Sequence, residues 1–149
     1  MSVSKFISDV KTIEHSQESV YNYLSDLKNI GPFFNEYTLA QISQQFQKVN
    51  ITGVSCDNDT ITLNIAQVGD VGLEVVERES PKMVKITGTG KIPFELYLWI
   101  QILPVNSIQC KVRLTIHAHL NVMMKMMVGK KMQEGINKLA EALTRFPYK

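Results

Sequence analysis

Cysteine is scarce in this chain. Cys56 and Cys110 are the only two in 149 residues, far apart and at no metal-ligand spacing. That excludes a disulfide scaffold and a thiolate zinc site, and it reads as two reduced thiols. Long apolar runs are also missing. No stretch approaches the ~18 apolar residues of a membrane span, and the N-terminal MSVSKFISDVKTIEHS lacks the apolar centre of a secretory signal. Cytoplasm is therefore the expected location. Charge of one sign is not concentrated anywhere: the net charge is +2 and Lys130-Lys131 is the longest basic run. A phosphate-tracking stripe is absent, so nucleic acid is not an expected partner. Internal repeats and linker-like segments are absent too, and residues 1–149 read as one domain with a sizeable core.

What is present is alternation, bracketed by helices. Lys5 to Glu14 alternates loosely, with Phe6, Val10 and Ile13 apolar, and reads as a first strand. Ser16 is a helix cap with Glu18 in the first turn, and Val20, Tyr23, Leu24 and Leu27 follow at helical spacing up to about Asn29. Gly31-Pro32 breaks the chain, and Phe33, Phe34, Tyr37, Leu39 and Ile42 suggest a second short helix or two broken pieces. From Val49 onward the chain stays in strands. Turn signals at Asp57-Asn58-Asp59, Gly69-Asp70, Ser80-Pro81-Lys82 and Pro104 to Ser107 separate alternating runs, the pattern of antiparallel hairpins. The last two runs, Phe94 to Ile102 and Cys110 to Ala118, both carry their apolar residues at even numbers. A three-residue loop, Val105-Asn106-Ser107, would set Leu98 opposite Leu114, Trp99 opposite Arg113 and Glu95 opposite His117.

Asn121 then caps a long amphipathic helix whose first three turns hold five methionines: Met123, Met124, Met126, Met127 and Met132. Consecutive methionines cannot all face inward, so some are exposed or covered by a ligand or partner. Met124, Val128, Met132, Ile136, Leu139 and Leu143 form the inward stripe. A lone helix after a run of antiparallel strands must lie across the sheet, and a curved sheet closed by one helix leaves a space. The expected architecture is α+β: a seven-stranded antiparallel curved sheet wrapped around a long C-terminal helix, with two short helices between strands 1 and 2.

Three segments carry a resemblance to a known superfamily. They are ESVYNYLSDLKNIGPFF at Glu18–Phe34, VGDVGLEVVERESPKMVKITGTGKIPFELYLWI at Val68–Ile100, and the terminal MMKMMVGKKMQEGINKLAEALTRF. Together with the element order, they resemble small bacterial members of the START/polyketide cyclase-like superfamily, which includes the birch-pollen-allergen-like proteins and is known for its helix-grip fold. The resemblance spans essentially the whole chain. It implies binding of a hydrophobic or amphipathic small molecule, or a lipid, between sheet and helix; some members cyclise or dehydrate polyketides, and others only carry or sense ligands. No known catalytic residue transfers to this sequence, and no cofactor is implied.

The expected walls of the cavity are Leu63, Ile65, Leu73, Val75, Ile86, Phe94, Leu96, Leu98, Leu114 and Ile116, with Met124, Met127 and Val128 from the helix and Phe33, Phe34 and Tyr37 at the mouth. The leading expectation is binding without catalysis. A cyclase- or dehydratase-type enzyme is the alternative, with Glu77, in phase with Leu73 and Val75, or a tyrosine as acid–base group. An interaction module with a side-chain-filled cavity is the third. His117 and His119 share one strand face with Glu95 nearby, but parity sets them outside the cavity, and a cross-strand ion pair is expected there rather than a metal. Tyr97 and Trp99 are expected on the outer face, where they could pair a weak homodimer or stack on Arg113.

Overall fold

The structure, a computed structural model, describes residues 3–35, 37, 39–40 and 50–148. Ile42 and Val49, read above as part of a helical piece and as a strand start, lie outside the described residues. Eight strands form one antiparallel sheet: β1 (Val3–Ile7), β2 (Lys11–Ile13), β3 (Ile51–Cys56), β4 (Thr60–Ile65), β5 (Gly69–Glu79), β6 (Met83–Gly90), β7 (Leu96–Asn106) and β8 (Gln109–His119). The order is β1-β8-β7-β6-β5-β4-β3, with β2 also paired to β8. The eighth strand arises because the expected first strand is broken. Ile7 pairs with Thr115 but Lys11 with Val112, so one side has an extra residue. Ser8 holds the break: its N–H donates to the Leu114 carbonyl, and its Oγ accepts the Leu114 N–H, both at 2.9 Å.

Helix α1 (Gln17–Leu24) starts where expected. The Ser16 hydroxyl accepts the Ser19 N–H at 3.1 Å. It ends earlier than the spacing suggested, because Asp26 caps a separate 3-10 turn at Leu27–Asn29, and a second such turn follows at Gly31–Phe33. Further on, the Leu39 N–H donates to the Asn35 carbonyl at 2.9 Å, one helical turn. The C-terminal helix α2 (Val122–Leu143) is capped by Asn121, whose Oδ1 accepts the Met124 N–H at 2.8 Å.

One fully buried cluster lies where α1, β7, β8 and the second half of α2 meet. Val20 and Leu24 of α1, Ile102 of β7, Val112 and Leu114 of β8, and Ile136, Ala140 and Leu143 of α2 are all at most 2 % exposed. After α2 the chain folds back: Phe146 and Tyr148 pack on Tyr23 with ring centroids 5.9 and 5.2 Å away, and Phe146 also meets Phe33 at 5.7 Å. The Tyr148 hydroxyl donates to the Leu143 carbonyl at 2.7 Å, and burial raises its pKa. Burial likewise pushes the Cys110 thiol up to about 11, leaving an inert, protonated core residue.

A polar stripe on α2 fixes where the helix sits. Gln133, Asn137 and Glu141 recur every four residues and so share one helix face. Gln133 Nε2 donates to the Ile7 carbonyl at 3.0 Å, Asn137 Oδ1 accepts the Asp9 N–H at 3.0 Å, and Glu141 pairs with Lys11 Nζ at 2.9 Å. The backbone groups freed by the β1–β2 break are thus satisfied by the helix, which packs mainly on β1 and β8.

Two expectations about strand pairing are corrected. The β7–β8 turn is tighter than three residues, with Asn106 opposite Gln109, the Asn106 Oδ1 accepting the Ile108 N–H, and a bulge between Pro104 and Asn106. The register therefore shifts by two: Leu98 faces Ile116, Ile100 faces Leu114, and Trp99 faces Thr115 rather than Arg113. A step of two preserves the side-chain faces, so the even-numbered residues still point inward. In β5 a bulge between Val75 and Glu77 sets Glu77 opposite Lys85, on the outer face. The inward phase expected for Glu77 is lost there, and the residue is exposed.

Candidate functional site

The inward sheet face is built from cross-strand rows. Val75, Ile86, Leu98, Ile116 and Phe6 lie side by side across five strands. A neighbouring row runs Ile61, Leu73 and Gly88, and continues through Leu96, Ala118 and Ser4. This second row holds three small residues, Gly88, Ala118 and Ser4. Ile92 from the β6–β7 loop lies over Gly88, where a Cβ would come within 2.8 Å of its Cδ1.

The expected walls divide into two groups. Ile86, Leu98 and Leu114 are buried and form the floor. Phe34, Leu73, Val75, Phe94, Leu96 and Ile116 are half-buried and pack against that core, as do Met124 and Val128 from the helix. Leu63 and Ile65 are half-buried on the same face of β4, with Leu63 opposite Val71 and Ile65 opposite Gly69. Phe33 is half-buried in the aromatic cluster, edge-on to Phe34 at 5.5 Å. Tyr37 and Met127 do not join them: they are 71 % and 67 % exposed. For Met127 the reason is angular, since it follows Met126 on the side of the helix opposite the inward stripe. Phe6 and Met132, which were not among the expected walls, belong to the same apolar surface. The even parity of Phe6 was the available signal.

The chemistry of this face is uniform. The inward positions of the described strands and of the β1–β2 break hold apolar side chains plus Ser4, Ser8, Lys11, Cys56, Cys110 and, at the far end of β5, Arg78. No carboxylate or histidine stands among them, and Lys11, opposite inward-facing Val112, is paired with Glu141 of α2 at 2.9 Å. Arg78 is occupied at the rim: Nε donates to the Ser25 carbonyl at 2.9 Å, and Nη2 contacts the Asn58 carbonyl at 3.0 Å and Asp59 at 2.8 Å. Two surface clefts, both open to solvent, lie apart from this face. One is between α1 and Pro147, and the other runs beside Lys82, Trp99 and Pro104.

No family model matches the chain, and no curated protein matches it. Solved structures do. Norcoclaurine synthase from Thalictrum flavum aligns at TM-score 0.65 and 10% identity, covering 97% of this chain and 86% of that one. A Rhizobium loti protein aligns at 0.59 and 13%, covering 97% and 98%. A START superfamily protein from Mycobacterium smegmatis aligns at 0.51 and 12%, covering 95% and 94%. The chain has the START-like helix-grip fold. A further norcoclaurine synthase structure, at TM-score 0.59 and 8% identity, is a complex with dopamine and hydroxybenzaldehyde.

The outer face of the helix-grip sheet carries the two expected rings, covered differently from the expectation. Tyr97 and Trp99 are half-buried and 6.0 Å apart, with Lys85 Nζ over both at 4.8 and 5.3 Å. The register shift takes Arg113 away to Gln101, whose Oε1 accepts the Arg113 Nε–H at 3.0 Å. His117 stands edge-on to Trp99 at 4.6 Å. Its pKa is lowered by burial first, then by Lys5 and His119. Glu95 pairs with His119 at 3.9 Å rather than with His117. Among the described residues no three His, Cys, Asp or Glu side chains gather as a metal site, and no helix is long and apolar enough to cross a membrane.

Proposed function

We propose that the chain binds a hydrophobic or amphipathic small molecule between the concave sheet face and the first half of α2, without transforming it. One observation carries the reading. Leu73, Val75, Phe94, Leu96 and Ile116 point inward from the sheet, Met124 and Val128 point inward from the helix, and all are only half-buried, whereas the cluster at the second half of α2 is at most 2 % exposed. Protein interiors are close-packed, so inward apolar side chains that stay accessible mark space for a guest. The small aromatic compounds held by norcoclaurine synthase are the kind of guest this fold accommodates. Flexible Met124 and Met132 suit an apolar partner of variable shape.

The Glu77 form of the enzymatic alternative has less support, since Glu77 faces outward beside Lys85 and no carboxylate or imidazole shares the inward face of the described strands. The unpaired Cys56 and Cys110 suit a reducing compartment such as the cytoplasm. A weak homodimer through Tyr97 and Trp99 is the partner reading at the outer face. Sedimentation of wild type against Trp99→Lys tests it, and a wild type that stays monomeric at high concentration removes it.

The binding reading is tested by titrating an apolar fluorescent probe into folded protein, with native mass spectrometry for a co-purified ligand. Saturable binding is expected, blocked by Ile116→Trp with the fold retained. A folded wild type that takes up neither probe nor ligand means a side-chain-filled interior, and the interaction-module reading then stands instead.

A further inference from the structure

The first two turns of α2 show two apolar faces. Met124 and Val128 point to the sheet, while Val122, Met123, Met126 and Met127 point the other way and are 78 %, 70 %, 82 % and 67 % exposed. At 100° per residue these four occupy one outward stripe, and the next outward position is Lys130. Beyond it the outward face turns polar, with exposed Glu134 and Lys138. Four large apolar side chains within six residues, about 9 Å of helix, are an unusual group to leave in water.

The charge around the stripe points to what covers it. Lys125 and Lys130 are exposed and make no ion pair among the described residues, and no acidic residue lies between Asn121 and Gln133. The stripe is the convex outer side of a helix, so it offers no groove to a peptide. A second copy would bring two lysines from each chain into one contact with no acid between them. A fluid, negatively charged apolar layer meets these conditions: it accepts a convex wedge, it solvates thioethers, and its headgroups pair with exposed lysines.

We propose that the first two turns of α2 are a docking face for an anionic lipid surface, with Met123, Met126 and Met127 entering the apolar layer and Lys125 and Lys130 meeting the headgroups. This stands independently of the cavity, since none of these side chains belongs to the inward set.

Co-sedimentation with phosphatidylcholine vesicles, with and without phosphatidylglycerol, tests it. Wild type is expected to pellet with the anionic vesicles and only weakly with the neutral ones, and to be released by salt. Lys125→Gln and Lys130→Gln are each expected to weaken partitioning about fivefold, and Met126→Glu with Met127→Glu to abolish it. All four positions are solvent-exposed, so melting temperature and probe uptake are expected to stay at wild-type values. Equal partitioning onto neutral and anionic vesicles, retention by the Met126→Glu/Met127→Glu protein, or no partitioning at all overturns the proposal. So does a wild-type dimer in sedimentation that Met126→Glu splits, which would assign the stripe to a second copy.

Discussion

Asn137 Oδ1 accepts the backbone N–H of Asp9 at 3.0 Å, joining two residues 128 positions apart. The bond falls at the point where the first strand breaks, between the Gln133–Ile7 and Glu141–Lys11 contacts of the same helix face. Asn137→Ala should cost about 1 kcal/mol, which for a chain of this size lowers the melting temperature by roughly 2–4 °C. Gln133→Ala combined with it should cost more than either alone. Thermal unfolding of the single and double variants measures both. A double variant as stable as wild type would mean that apolar packing alone positions the helix.

Ser8→Ala is expected to be the more damaging change. The Ser8 hydroxyl is the acceptor for the Leu114 N–H, and the surroundings are buried. Removing it strands a buried donor, a loss of about 1–3 kcal/mol. Chemical denaturation reads the difference. The expected sign is a lower midpoint at unchanged slope, because the compactness of the two states is untouched.

These two sites also show where the sequence was legible and where it was not. The alternation of Phe94 to Ile102 and of Cys110 to Ala118 identified the inward face, and the spacing of Met124, Val128, Met132 and Ile136 identified the inward stripe of the helix. Both signals survive a register step of two, which is why the faces came out right while Trp99 was matched to the wrong partner. Bulges leave no such trace. One extra residue at Val76 turns Glu77 outward, and Ser8 breaks a strand that reads as continuous, because a bulge depends on pairing with a strand distant in sequence. The Gln133–Asn137–Glu141 stripe was visible as polar residues at helical spacing. Its role was hidden, since the strand break it serves was hidden.

The Lys11–Glu141 pair sets a pH dependence with two limbs. Lys11 holds the Glu141 carboxyl below the ordinary 4.5, and Glu141 in turn holds Lys11 above 10.5. The Glu141 contribution is complete above 4.5 and fades as pH falls through its lowered value. The Lys11 contribution is complete below 10.5 and fades as pH rises through its raised value. The destabilisation caused by Lys11→Met should therefore be constant between 4.5 and 10.5 and shrink outside that window. Both groups are at the surface, so the effect should be small and weaken with salt. Melting temperatures of the two proteins across pH check it, and a difference that grows in acid would contradict the pairing.

The outer sheet face supplies its own reporter, because Trp99 is the sole tryptophan and His117 meets its ring edge at 4.6 Å. Protonating that imidazole places a cation beside the indole and should quench its fluorescence. Burial, with Lys5 and His119 adding repulsion, lowers the His117 pKa from 6.5, so the quenching midpoint should fall below 6.5. The stability consequence has the same sign. Above 6.5 both folded and unfolded chains hold a neutral ring; as pH falls, the unfolded chain takes up the proton first, and the fold loses stability until His117 itself titrates. Lys5→Gln removes one source of repulsion without touching the indole, and should move the midpoint upward. Fluorescence titration of wild type, Lys5→Gln and His117→Gln reads all of this directly. A midpoint above 6.5, or an unchanged titration in His117→Gln, would place the quenching group elsewhere and break the link between Trp99 and His117.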